Sequence, residues 1–185
     1  MLRTLLLFGW LAGFYVVPEG LAAPYAHALG GSAITVGLLM AAVPAGTVAG
    51  GVLAGRLATL SDQLRMMGWL AMLSCAPLVA GLWNPPLWAV LPLWFLAGIG
   101  GSFQIIASPA FARALTPETR ARAFGVVQSG LYAVQGLGIL AGGAAASALG
   151  AQAAVAVAGL AGLCAAIGLT ASWSRLRTRV MDRQQ

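Results

Sequence analysis

The sequence predicts an all-α membrane protein, with six transmembrane helices arranged as two inverted three-helix repeats. Three observations carry this reading. First, the chain has 185 residues, of which 60% are hydrophobic and only 8% charged. A soluble domain carries roughly 25% charged residues, so this chain has too few to cover a water-facing surface. Its mean hydropathy is +0.89, and an apolar exterior is the solvated one only in a bilayer. Second, six stretches approach the roughly 20 apolar residues that a spanning helix needs. Third, all the basic residues fall on one side of a six-span threading.

Taken in order, span one covers Thr4–Ala26, with Pro18 expected to interrupt its hydrogen-bond ladder. Leu29-Gly30-Gly31-Ser32 separates it from span two, Ser32–Gly55. Span three covers Met66–Trp83 and ends at Asn84-Pro85-Pro86, which a helix cannot cross. Span four is Leu87–Phe111, span five Arg122–Ala148, and span six Ala151–Trp173. The last two are joined near Leu149-Gly150 and must form an antiparallel hairpin. Residues 1–173 thus form the bundle, and 174–185 an Arg-rich cytoplasmic tail. Arg3, a short apolar run and Ala26-His27-Ala28 also resemble a cleaved signal peptide, but removing span one would break the three-plus-three organisation.

The net charge is +6, and every basic residue is Arg. The arginines lie between apolar runs rather than along one soluble face, which argues against nucleic acid as a partner. Arg3, Arg56, Arg65, Arg113, Arg120, Arg122, Arg175, Arg177, Arg179 and Arg183 all fall on one side, which the positive-inside rule makes cytoplasmic, with both termini inside. Trp83 and Trp88 at the outer boundary, and Trp69 and Trp173 at the inner, suit an aromatic belt. Abundant Ala and Gly without Lys suggest a bacterial chain and hence the bacterial cytoplasmic membrane. Cys75 and Cys164 sit within apolar runs and read as small buried hydrophobes. No metal-ligand spacing occurs, so no metal or cofactor is expected.

Span two contains Gly46-Thr-Val-Ala-Gly50-Gly51, and span five Gly138-Ile-Leu-Ala-Gly142-Gly143. These are the second helices of two successive triplets that cross the bilayer in opposite directions, which is the signature of an inverted repeat. Gly46, Gly50, Gly51, Gly138 and Gly142 are expected to pack helices closely.

Glu19 is the only acid placed within the hydrocarbon region. An ionisable group there costs at least about 2.5 kcal/mol, so such residues face cavities or relay protons. With Pro18 beside it, it is the proton-coupling candidate. Gln128, Tyr132 and Gln135 share one face of span five and are candidates to line a substrate cavity or to bond neighbouring helices. Gln104 and Ser108 on span four repeat the pattern, and Tyr15 and Pro18 join the cavity candidates on span one. His27, at the outer end of span one, reads as a surface residue. Arg56, Asp62, Arg65, Glu118, Arg120 and Arg122 lie in the cytoplasmic loops, as gate ion pairs or as topology anchors. An intramembrane enzyme would need clustered His, acids or nucleophiles at depth, and Glu19 stands apart from any such cluster, so no enzymatic activity is expected.

The loop Leu115-Thr-Pro-Glu-Thr-Arg-Ala-Arg-Ala-Phe-Gly125, with six spans in two triplets, resembles the C-terminal bundle of the major facilitator superfamily. Many bacterial exporters of that family carry a P-E-x-R-G-R segment between the tenth and eleventh helices. Pro117, Glu118, Arg120 and Arg122 match it, and Ala121 replaces the Gly. Pro18-Glu-Gly-Leu-Ala-Ala-Pro-Tyr25 is similar to the seventh helix of actinobacterial-type members. Gly51-Val-Leu-Ala-Gly55-Arg56 resembles the family's G-x-L-a-D-R loop, with Gly55 in place of the acid. The resemblance implies secondary active transport of a small molecule by alternating access, here read as proton-coupled efflux. Family members have twelve helices, with substrate between two bundles. Met1 lies just before what would be the seventh helix, so the chain is expected to be half of a truncated transporter that lacks its N-terminal bundle. A half-size carrier working as a homodimer, or a non-transporting membrane subunit or scaffold, are the alternatives.

Overall fold

The computed structural model describes residues 7–57, 60–105 and 117–181, and the regular structure among them is helical throughout. Span one is a chain of short helices, Ala12–Tyr15, Val17–Gly20 and Ala22–Ala28. Pro18 and Pro24 each lack the N–H that would bond one turn back. The backbone tightens instead, with Glu19 N donating to Val16 O at 3.0 Å and Leu21 N to Pro18 O at 3.2 Å. The last piece ends at Gly30, whose φ is 68°. There Gly30 N bonds His27 O and Gly31 N bonds Ala26 O, so a left-handed glycine closes the helix.

Span two is a single helix, Ala33–Leu57, with Pro44 inside it. Ser32 N donates back to Thr35 Oγ1 at 3.1 Å, one arm of a capping box. Span three is an α-helix over Leu60–Cys75 that tightens into a 3₁₀ helix over Ala76–Trp83. It stops at Asn84, which takes a left-handed φ of 46° before the two prolines. Span four is Leu87–Gly101, span five Pro117–Leu149 and span six Ala151–Met181. Pro117 occupies the first helical position, where a missing N–H costs nothing. Gly150, at φ 86°, turns span five directly into span six. Among the described residues, five helices are long and apolar enough to cross a membrane; span one is too fragmented to stand as one uninterrupted helix.

Spans one and four form the middle of the bundle. Phe103 takes Phe8 and Tyr15 edge-on, each with ring centroids 6.2 Å apart. Tyr25 meets Trp94 edge-on at 5.2 Å, and Leu39, Met67 and Leu78 complete the buried core. Span two runs along span four, span three packs on four and six, and span five packs on one and six. Spans two and five are therefore the flanks. In residues 121–149 of span five only Gly142 is buried, while Val126, Tyr132, Leu137 and Leu140 are exposed. Such a surface suits acyl chains or another helix bundle. Trp69, Trp83 and Trp88 project outward, where indole rings sit well at a lipid headgroup boundary.

The glycines picked out in the sequence sit where helices touch. A side chain at Gly46 would run into the Phe95 carbonyl of span four, and one at Gly138 into the Gly13 carbonyl of span one. One turn on, Gly50 faces the Ile99 carbonyl and Gly142 faces the Val17 side chain. A single register relates Gly46 to Gly138, Gly50 to Gly142, Phe95 to Gly13 and Ile99 to Val17. The second helix of each triplet thus crosses the first helix of the other, as an inverted repeat requires.

Candidate functional site

Spans one, two and four meet at Gly101. A Cβ there would lie 3.3 Å from Thr47 Oγ1 and 3.4 Å from the Tyr15 ring, so the missing side chain lets three helices converge on polar atoms. Thr47 Oγ1 is shared between two carbonyls, Val43 at 3.0 Å on its own helix and Gly98 at 3.1 Å on span four. Hydroxyls at membrane depth do this because hydrocarbon supplies no other partner. One residue past Gly101, the Ser102 hydroxyl is fully buried against Gly50 and has no hydrogen-bond partner among the described residues.

Glu19 sits on the short helix Val17–Gly20, half-buried. Its carboxylate is an electrostatic neighbour of Tyr15, one turn earlier. Among the described residues it makes no side-chain hydrogen bond or ion pair. Tyr15 and Pro18 are buried beside it. Tyr15 therefore has two polar neighbours, Glu19 one turn along its own span and Thr47 across at Gly101, where the first span is irregular.

The other cavity candidates are placed differently. Gln104 is half-buried and donates from Nε2 to the Gly9 carbonyl of span one at 3.2 Å, which ties spans four and one together. Gln128 and Tyr132 are exposed on the flank and Gln135 is half-buried. One turn past Gln135, Ile139 of span five packs on Gly20, next to Glu19. Ser108 lies outside the described residues. Of the loop residues, Arg56, Asp62, Arg65 and Arg122 are exposed, and Asp62 has an interaction partner. Glu118 and Arg120 fall in the first turns of the span-five helix. His27 is exposed. Gly51 faces the Ile105 side chain rather than backbone.

Thr47, Gly98 and Ser102 were not singled out in the sequence. A signal for Thr47 was present, because it follows Gly46 at the closest helix approach. Ser102 carried none, since a lone Ser in an apolar run is common. No group of three or more His, Cys, Asp or Glu that would hold a metal occurs among the described residues.

A second feature is an apolar cavity of about 320 Å³ between spans one, five and six. Phe14 and Val17 of span one, Leu137 and Ala141 of span five, and Ala158 and Ala161 of span six line it.

Comparison with known proteins returns no curated protein and no solved structure that matches the chain. A family model does match, over residues 4–184, and it is that of a membrane transporter family. Together with the all-helical bundle, its crossed triplets and its apolar exterior, this match places the chain in the major facilitator superfamily.

Proposed function

We propose that this chain forms one bundle of a secondary active transporter that exports a small molecule by alternating access, coupled to protons through Glu19. The observation that carries the reading is Glu19 itself. It is a carboxylate at membrane depth, on a broken helix, with no side-chain hydrogen bond or ion pair among the described residues. An acid that contributes nothing there costs several kcal/mol, so its retention argues for a task. Tyr15, one turn earlier, and Thr47, which meets Tyr15 at Gly101, supply polar groups that a hydrophilic cargo or a proton needs in a membrane bundle. Tyr132 and Gln128 add polar groups on the open flank.

The partner is a second six-helix bundle, either an N-terminal half or another copy of this chain. The unburied faces of spans two and five, with Ile34, Leu38, Val48, Leu137 and Leu140 outward, support this. The arginine distribution supports both termini lying inside, and abundant Ala and Gly without Lys support a bacterial cytoplasmic membrane.

The test is Glu19→Gln in transport-competent protein reconstituted with its partner bundle. The change removes the charge at nearly constant volume. Uphill, proton-driven transport is expected to fall steeply while passive exchange of cargo persists. Undiminished uphill transport would make Glu19 a solvated or structural residue and would favour the scaffold or uncoupled readings.

A further inference from the structure

Two crossings join the triplets, and one register of small residues builds both, yet they are not equally firm. Where spans two and four cross, backbone meets backbone along a seam. Gly46 lies against the Phe95 carbonyl, Gly98 against the Val43 carbonyl, and a Cβ on Gly50 would stand 2.7 Å from the Ile99 oxygen. The Thr47 hydroxyl then bonds across to Gly98.

Where spans one and five cross, the backbones meet at one locality, Gly138 against the Gly13 carbonyl, with the Val134 carbonyl beside Gly13. One turn further the contacts are through side chains, Val17 on Gly142 and Ile139 on Gly20. The counterpart of Thr47 is Ile139, so no hydroxyl crosses here. The counterpart of Gly98 is Val16, so a side chain stands where the other crossing has none.

The surroundings differ in the same sense. The cavity of about 320 Å³ lies beside the crossing of spans one and five, with span six as its third wall. Both spaces open at the surface; the furrow beside spans two and four, about 430 Å³, is the larger and more open, and it is walled by those two spans alone. Span one is divided into short helices on both sides of the contact, whereas span four stays one helix over Leu87–Gly101 although Pro92 lies inside it, as span two does around Pro44.

We propose that the crossing of spans one and five is the moving joint of this bundle, and that the crossing of spans two and four is its fixed seam. Span five turns about the Gly138–Gly13 contact. Leu137 and Ala141 swing into the cavity toward Ala158 and Ala161, and the short helices of span one follow without breaking further backbone bonds. The two end positions are distinct because close-packed helices slip between discrete arrangements rather than deform continuously. Glu19 lies on the segment just past the pivot, so the joint moves it between two surroundings. That purpose rests on the proton-coupling reading, but the joint itself does not.

The test reads distances within the whole chain in lipid nanodiscs, with Cys75 and Cys164 replaced by Ala. Spin labels go on Ala23 and Ala144, which report spans one and five. A second sample carries them on Ile105 and Val52, the repeat-related positions on spans four and two. All four positions are exposed. Electron paramagnetic resonance is expected to give a distance distribution about twofold broader, or split, for the first pair and a single narrow one for the second. Ala158→Leu, which fills the cavity, is expected to narrow the first distribution to the width of the second. Equal widths in the unfilled bundle, or a broader second pair, overturn the proposal. A folded Ala158→Leu that leaves the first width unchanged also overturns it. Should that variant misfold, the comparison of the two pairs decides alone. No cargo or gradient is present, so a failure here is distinct from failure of the Glu19 reading.

Discussion

The Gly46 contact can be tested by adding one methyl. In Gly46→Ala the new carbon would overlap the Phe95 carbonyl, so spans two and four must separate. Forcing an extra methyl into a packed contact costs about 1–3 kcal/mol. Separation also pulls Thr47 Oγ1 away from Gly98 O, now 3.1 Å distant, and interhelical hydrogen bonds in membranes average about 0.6 kcal/mol. Gly37→Ala is the control. Gly37 lies on the same helix with nothing within 4 Å of its Cβ position. Both changes bring the same helix-propensity gain, which cancels in the comparison. The difference between the two variants is therefore about 1.6–3.6 kcal/mol, with Gly46→Ala the less stable. Unfolding of the purified chain in mixed detergent micelles, titrated with sodium dodecyl sulfate and followed by circular dichroism, measures it. Equal midpoints for the two variants would show that spans two and four do not meet at Gly46, and would remove the basis for treating that crossing as a seam.

Two further outcomes are expected. Gln104→Leu removes the bond to Gly9 O and leaves an isolated backbone carbonyl, so it lowers stability by about 0.6–1.7 kcal/mol in the same titration. If Gln104 is structural glue, transport rates are unchanged per folded molecule; selective loss of transport at normal stability would assign it to the cavity instead. A reporter fused after Gln185 is expected to be active only in its cytoplasmic form. A signal from the opposite side would refute the orientation read from the arginines.

Much of the fold is legible in composition and order. With 8% charged residues, the chain has no soluble way to cover itself, so helices in a bilayer follow from hydrogen-bond satisfaction alone. Pro18 already announced that span one would be irregular, because a missing N–H acts locally. The paired glycines of spans two and five were legible as close contacts, since only small residues let membrane helices approach. The candidate site was less legible. Gln104 and Gln128 look alike in sequence, yet one reaches the Gly9 carbonyl and the other lies exposed on a flank. Which of them finds a partner depends on helix rotation, and a helix that is apolar all round does not encode its rotation in a polar stripe.

The sequence by itself therefore determined the solvent, the helical class, the repeat and the positions of closest approach. Each follows from a property of single residues or of spacing along one helix. Tertiary structure alone decided which helices cross and how firmly. Gly46 and Gly138 belong to matching motifs, but Thr47 bridges to Gly98 while Ile139 stands where a bridge would be, next to an open cavity. The difference arises between chain segments more than fifty residues apart. Pairing at that range is set by how whole surfaces fit, which no local pattern records.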